Sequence, residues 1–132
     1  MSDPIRNERG SISGFVVVLS MTFVACAGLA FDGGRMIAAR AEATDAAENA
    51  ARAGAQQVTS LRSGNPTIDK SAATISAKRF LETIGITGVA TADENSVTVT
   101  TNIKVPMILL GIFGVRDRSV SAVRSAQPFT SP

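Results

Sequence analysis

Residues 12–31 decide the fold of this chain, and they read ISGFVVVLSMTFVACAGLAF. None of these twenty side chains is charged, and most are apolar. A helix rises about 1.5 Å per residue, so this stretch would be about 30 Å long, the thickness of a bilayer's hydrocarbon core. It predicts a transmembrane helix, preceded by a cytoplasmic leader (residues 1–11) and followed by an extracytoplasmic module (residues 32–132).

Two other interpretations of the same stretch stay open. The first is a cleaved signal peptide, which typically has basic residues, then an apolar run, then small residues at the cleavage site. Here these would be Arg6 and Arg9, the apolar run, and Ala25-Cys26-Ala27. The second is a lipoprotein acylated at Cys26. Either alternative would give a secreted or lipid-linked binding module. Apolar residues continue past both cleavage points to Phe31, which favours a retained anchor.

Small side chains recur every fourth residue along this helix and beyond its end. Residues four apart lie on one helix face, where small side chains let another helix backbone approach closely. Small residues are also common in membrane helices that have no such role. The stripe is therefore a candidate helix-packing face, and it consists of Thr22, Cys26, Ala30, Gly34 and Ala38.

The remaining residues predict a small α+β module. From residue 35 to about residue 61 the chain is rich in Ala, Arg, Glu and Gln, which favours one helix continuous with the anchor. After a turn at residues 63–66, Thr67 or Asp69 can cap a second, amphipathic helix that Gly85 ends. Alternating apolar and polar residues then predict a hairpin turning at 92–95 and a last strand at 119–126. The expected fold is α+β, with a small antiparallel sheet of about three strands.

Residues 106–115 form a second apolar run, PMILLGIFGV. It is too short to span a bilayer. One interpretation is a short helix that caps the core of the module. The other is a contact with the membrane surface or with a partner protein, for which the candidate residues are Leu109, Leu110, Ile112 and Phe113.

The composition gives no support for an enzyme. Among its 132 residues the chain has no His, Tyr or Trp, so the commonest general base and metal ligand are missing. Asp93 and Glu94 fall in the predicted hairpin turn, where carboxylates are ordinarily solvent-exposed and seldom an acid/base pair. Asp45 and Glu48 lie on one helix face but lack a nearby His or Cys to complete a metal site. The net charge of +2 is scattered, without a basic block for nucleic acid. We predict no catalytic, cofactor or metal site and no small-molecule substrate, and therefore a scaffold or assembly role.

Three short motifs occur in order around the apolar helix. They are Glu8-Arg9-Gly10-Ser11 before it, Asp32-Gly33-Gly34-Arg35 after it, and an Ala-rich run from Ala38-Ala39-Arg40 through Asp45-Ala46-Ala47 to Ala53-Gly54-Ala55. This ordered set resembles the TadE/TadG-like proteins of the bacterial Tad (Flp-type) pilus-assembly system. The resemblance covers about the first 57 residues well and the remainder in outline.

The resemblance implies a single-pass protein of the cytoplasmic membrane, N-terminus inside, that serves a thin adhesive pilus as a minor pilin, pseudopilin or assembly factor. Its implied partners are other Tad/Flp membrane proteins or pilins, and membrane lipid. TadE-like members are cut after the glycine that precedes the anchor, here Gly10, which would leave Ser11 as the new N-terminus. Phe15 stands where the prepilin glutamate is expected, which fits an uncleaved TadG-like anchor better.

Overall fold

The structure is a computed structural model that describes residues 9–59 and 66–128. Its first element is α1, Arg9–Ala55, an unbroken helix of 47 residues that is about 70 Å long. The helix runs through Gly33 and Gly34 without interruption. It joins the predicted transmembrane segment to the Ala-rich stretch, as the sequence indicated.

The predicted end of this helix near residue 61 is wrong. α1 ends at Ala55, and β1, Val58–Thr59, pairs antiparallel with β2, Thr67–Ile68. The β-branched side chains of Val58 and Thr59 favour an extended backbone, which outweighs the helix propensity of the residues before them. Of the turn predicted at 63–66, residues 63–65 lie outside the described residues.

The second helix, α2, spans Lys70–Thr83. Asp69 caps it, because its side chain accepts a hydrogen bond from the backbone N–H of Ala72 at 3.0 Å. Gly85 follows the helix with φ +71°, a left-handed conformation that glycine adopts without steric cost. The predicted second helix and its end are confirmed.

A three-stranded antiparallel sheet completes the α+β fold. Its strands are β3, Thr87–Ala92, β4, Val97–Val105, and β5, Arg118–Ala126, in the order β3-β4-β5. Residues alternate between the two faces, and the inner face of β4 is buried through Val97, Val99 and Thr101. The predicted hairpin and last strand are confirmed, and a single turn of 3-10 helix, Leu110–Phe113, lies between β4 and β5.

The core forms where the second half of α1 packs on the inner face of this sheet and on α2. The helix can come close because its buried side chains are methyl groups: Ala43, Ala47, Ala50 and Ala51 are fully buried. The hydroxyl of Thr101 in β4 donates a hydrogen bond to the carbonyl oxygen of Ala43 at 2.8 Å. This bond fixes the position of the sheet along the helix.

The first half of α1 is not covered by the module. Residues 12–27 are all exposed, and within residues 12–38 only Gly28 and Asp32 are buried. In the described part of the chain, α1 is the one helix that is long and apolar enough to cross a membrane. These properties fit a membrane anchor.

Candidate functional site

The apolar loop, residues 106–115, is hydrogen-bonded to α1 through two side chains of that helix. The Asp32 carboxylate accepts bonds from the backbone N–H groups of Ile108, at 3.1 Å, and Leu110, at 2.7 Å. One turn further along the helix, the Arg35 guanidinium donates to the carbonyl oxygen of Pro106 at 2.7 Å. Two charged side chains thus hold the apolar loop at three backbone positions.

Asp32 carries a negative charge in a buried position, with 1% of its surface exposed. The hydrogen bond from the Leu110 N–H is the main cause that lowers the pKa of Asp32. Burial opposes it, while the N–H groups of Ile108 and Leu109 and the charge of Arg35 lower the pKa further. The carboxylate therefore stays ionised at neutral pH, which makes its bonds to the apolar loop charge-assisted.

The apolar loop runs along α1 toward the N-terminal end of the helix. Pro106 lies beside Arg35, and a Cβ atom added at Gly28 would lie 3.3 Å from the Cβ atom of Leu109 and 3.7 Å from Cδ2 of Leu110. Gly28 and Arg35 are two helical turns apart, about 10 Å. Because glycine has no side chain, the apolar loop reaches the last turn of the predicted transmembrane segment.

The apolar loop has a buried side and an exposed side. Met107 is buried, and Leu110 and Val115 pack beside it in a small core cluster with the second half of α1. On the other side, Ile112 is 77% exposed, Ile108 54% and Phe113 52%. The run thus contains a single turn of 3-10 helix, of which only Leu110 packs against the core cluster, and it presents other apolar side chains outward. Of the candidate contact residues, Leu109 and Leu110 are half-buried, while Ile112 and Phe113 are exposed.

Five backbone N–H groups of the apolar loop are hydrogen-bonded within the protein. Besides the two N–H groups that donate to Asp32, three others donate to carbonyl oxygens of the apolar loop itself. These donors belong to Ile112, Gly114 and Val115, with acceptors Leu109, Gly111 and Leu110. Gly114 closes the 3-10 helix with φ +84°, which a larger residue would adopt only under strain.

The other candidate residues on α1 lie away from the apolar loop. The stripe of small residues is exposed along its whole length: Thr22, Cys26, Ala30, Gly34 and Ala38. It occupies a different face of α1 from Gly28 and Asp32, which the apolar loop covers. Gly10 and Ser11 lie in the first turn of α1. Both the packing face and the processing site remain predictions.

A surface cleft of about 960 Å³ lies at the other end of the module, between the end of α1 and the end of β5. The ion pair of Glu48 with Arg52 lines it, together with Gln56, Arg124 and Gln127. Within residues 9–59 and 66–128, no group of three or more His, Cys, Asp or Glu side chains is placed to hold a metal ion. The cleft therefore gives no basis for a metal site among the residues described.

These features define a class: an α+β protein built on one long helix whose apolar first half extends beyond the folded module. Residues 10–57 match the model of the Tad family, the Flp pilus-assembly TadE/G-like proteins. The match confirms the resemblance and supports a pilus-assembly role and a location in the cell envelope. It covers α1 almost completely, including Asp32 and Arg35. Searches of curated proteins and of solved structures gave no match.

Proposed function

We propose that the protein is a membrane-anchored structural component of a bacterial Tad (Flp-type) pilus, a minor pilin, pseudopilin or assembly factor. The observation that carries the proposal is the Tad match on an unbroken helix whose residues 12–27 are mostly apolar and exposed on all sides. Such a surface is favourable in lipid or against other apolar helices and unfavourable in water. The N-terminus lies in the cytoplasm and the module lies outside.

The protein acts through packing. The side chains that meet in the candidate site are a carboxylate and a guanidinium already bonded to backbone groups, surrounded by aliphatic residues. The exposed stripe from Thr22 to Ala38 is the face on which a helix of another pilus protein packs, because small residues permit close backbone contact. The partners are other Tad/Flp membrane proteins or pilins, with lipid around the rest of α1.

The test is co-purification of the full chain with other Tad components from native membranes after mild detergent extraction. Ala30→Leu, on the stripe, should reduce the amount of partner recovered several-fold. Val24→Leu is the matched control, since it enlarges an exposed residue on another face of the same helix and should leave recovery unchanged. A chain recovered only as a lone monomer would contradict the proposal.

Intact-mass analysis of the same preparation separates the forms of the anchor. A chain starting at Met1 or Ser2 supports an uncleaved TadG-like anchor, and one starting at Ser11 supports pseudopilin processing despite Phe15. A chain starting near Cys26 or Gly28 would mean a secreted or lipid-linked module and would remove the anchor from the proposal.

A further inference from the structure

We infer that the apolar loop enters the membrane interface beside α1, so that Ile108, Ile112 and Phe113 contact lipid. The inference rests on the proposed function in one respect, that α1 spans a bilayer. It adds a second membrane contact, made by a segment more than seventy positions further along the chain.

The depth of the apolar loop along α1 is the first argument. Leu109 lies against Gly28, which is three residues before the end of the predicted transmembrane segment, or about 4.5 Å inside it. Interfacial segments bury their apolar side chains about 5–10 Å into the boundary between headgroups and acyl chains. The apolar loop is therefore held at the depth at which such segments lie.

The surface of the apolar loop is the second argument. Ile112, with 77% of its surface exposed, is among the most exposed large apolar side chains of the described chain. On the turn of α1 that Leu109 contacts at Gly28, Leu29 is 65% exposed and Phe31 52%. Exposed apolar side chains thus occur both in the apolar loop and on the turn of the helix that it contacts, and burying them in a bilayer is more favourable than exposing them to water.

The backbone of the apolar loop is the third argument. Polar backbone groups that enter a low-dielectric region without a partner are costly, so pairing them within the protein favours the entry of a loop. Asp32 and Arg35 pair three of these groups, and the turn of 3-10 helix pairs others. In return the apolar loop covers the Asp32 carboxylate, which would otherwise face the lipid boundary.

Charge at the border of the apolar loop fits this position. Arg116 and Arg118 follow it directly and are exposed, with Asp117 between them. Arginine at this level can reach lipid phosphates while its aliphatic part stays near the acyl chains. A protein partner that covered Ile112 would have to be embedded in the same interface, so lipid is the occupant that the geometry favours.

The experiment uses the full chain reconstituted in vesicles of phosphatidylethanolamine and phosphatidylglycerol. Cys26→Ser removes the only native thiol, and single cysteines are introduced by Ile112→Cys, Val18→Cys or Val123→Cys and labelled with an environment-sensitive fluorophore. Val18 reports on the anchor. Val123 is the matched control, because it is an exposed apolar residue (53%) that lies on the outer face of the sheet and not in the apolar loop.

Quenching by lipids that carry a nitroxide at a shallow acyl position is then compared with quenching by aqueous iodide. We expect lipid to quench the label at Ile112 several-fold more than the label at Val123, and iodide to quench it less than the label at Val123. Both differences should persist at low protein density in the vesicles. Lipid quenching at Val18 without quenching at Ile112 would overturn the inference and leave the anchor intact. Lack of quenching at Val18 would overturn the proposed anchor, and with it the inference. Protection of Ile112 from both quenchers would indicate a protein contact and would also overturn the inference.

Discussion

At the scale of single residues, Asp32 has the most unusual environment. Among the described residues it is the only charged side chain that is buried. A buried carboxylate is costly unless hydrogen bonds compensate it, and here two backbone N–H groups do so. Its position after the apolar stretch marks the end of the predicted span, while its bonds fix the apolar loop. Asp32 thus both marks the end of the predicted span and fixes the apolar loop.

The bonds of Asp32 predict a pH dependence. The pKa of Asp32 is lowered in the folded chain. The ionised carboxylate therefore stabilises docking of the apolar loop to its full extent at any pH above the pKa of a free aspartate, about 3.9. This stabilisation is lost as the pH falls through the lower pKa of the folded chain. We expect the backbone amide resonance of Leu110, in micelles, to be constant between about pH 5 and 7 and to move toward that of a released loop only below about pH 4.

Two variants check the assignment of this titration. Asp32→Asn removes the charge and should show the released position of the Leu110 resonance already at neutral pH, without further titration. Asp45→Asn, an exposed change on the same helix, should leave the transition as it is. A transition that persists in Asp32→Asn would contradict the role given to this carboxylate.

The role of Asp32 was not predictable from the sequence, although the residue was noticed. Its partner N–H groups lie 76 and 78 positions further along the chain. No helical or strand period relates residues at such distances. Asp32 and Arg35 belong to a motif and residues 106–115 to an apolar run, but only the packing of β4 and β5 on α1 brings the two together.

At the scale of elements, the contact of α1 with α2 and β4 depends on the absence of a side chain at Gly54. A Cβ atom there would lie 2.9 Å from the carbonyl oxygen of Ala73 and 3.0 Å from Cγ1 of Val97. Gly54→Ala should therefore lower the free energy of unfolding by about 1–3 kcal/mol, although alanine favours helix. Urea unfolding of the full chain in detergent, followed by circular dichroism, measures it.

Gly33→Ala is the control for this substitution. Gly33 lies in the same helix with nothing within 4 Å of an added Cβ atom, so only the helix propensity changes. It should raise the free energy of unfolding by up to about 1 kcal/mol. Equal effects of the two substitutions would contradict the close contact at Gly54.

Elements with a clear period were predictable, and short ones were not. The alternation of residues 97–105 predicted β4, since every second residue is buried or, at Ile103, half-buried on one face. The cap at Asp69 predicted the start of α2. The two-residue strands β1 and β2 contain no period that a sequence pattern could detect. The end of α1 was not predictable for the same reason, because the two β-branched residues of β1 end the helix despite the long run of helix formers before them.

At the scale of the whole molecule, the core of the module lies on the part of α1 that follows Arg35, whereas two of the three hydrogen bonds that hold the apolar loop come from Asp32, which precedes it. A fragment of residues 35–132 should therefore keep the helix and strand content of the module but release the apolar loop. A fragment of residues 28–132 keeps Gly28 and Asp32 and should retain it. Circular dichroism reports the fold, and hydrogen exchange at the amides of Ile108 and Leu110 reports the apolar loop, which should exchange several-fold faster in the shorter fragment.

Equal protection of these two amides in both fragments would mean that Arg35 and the packing of the small core cluster hold the apolar loop without Asp32 and Gly28. Loss of circular dichroism in the shorter fragment alone would mean that the first half of α1 belongs to the core. The first result would contradict the role given to Asp32, and the second would contradict the division of the molecule into a module and a helix that carries it.

The unbroken course of α1 has a mechanical consequence. No flexible linker separates the apolar half of the helix from the half that supports the sheet. Backbone hydrogen bonds connect the two halves continuously through the 47 residues of α1. A tension or torque applied at the sheet therefore reaches the far end of the helix with little loss. Any tilt of the helix in its surroundings is at the same time a tilt of the module, so the protein transmits orientation as a stiff rod does.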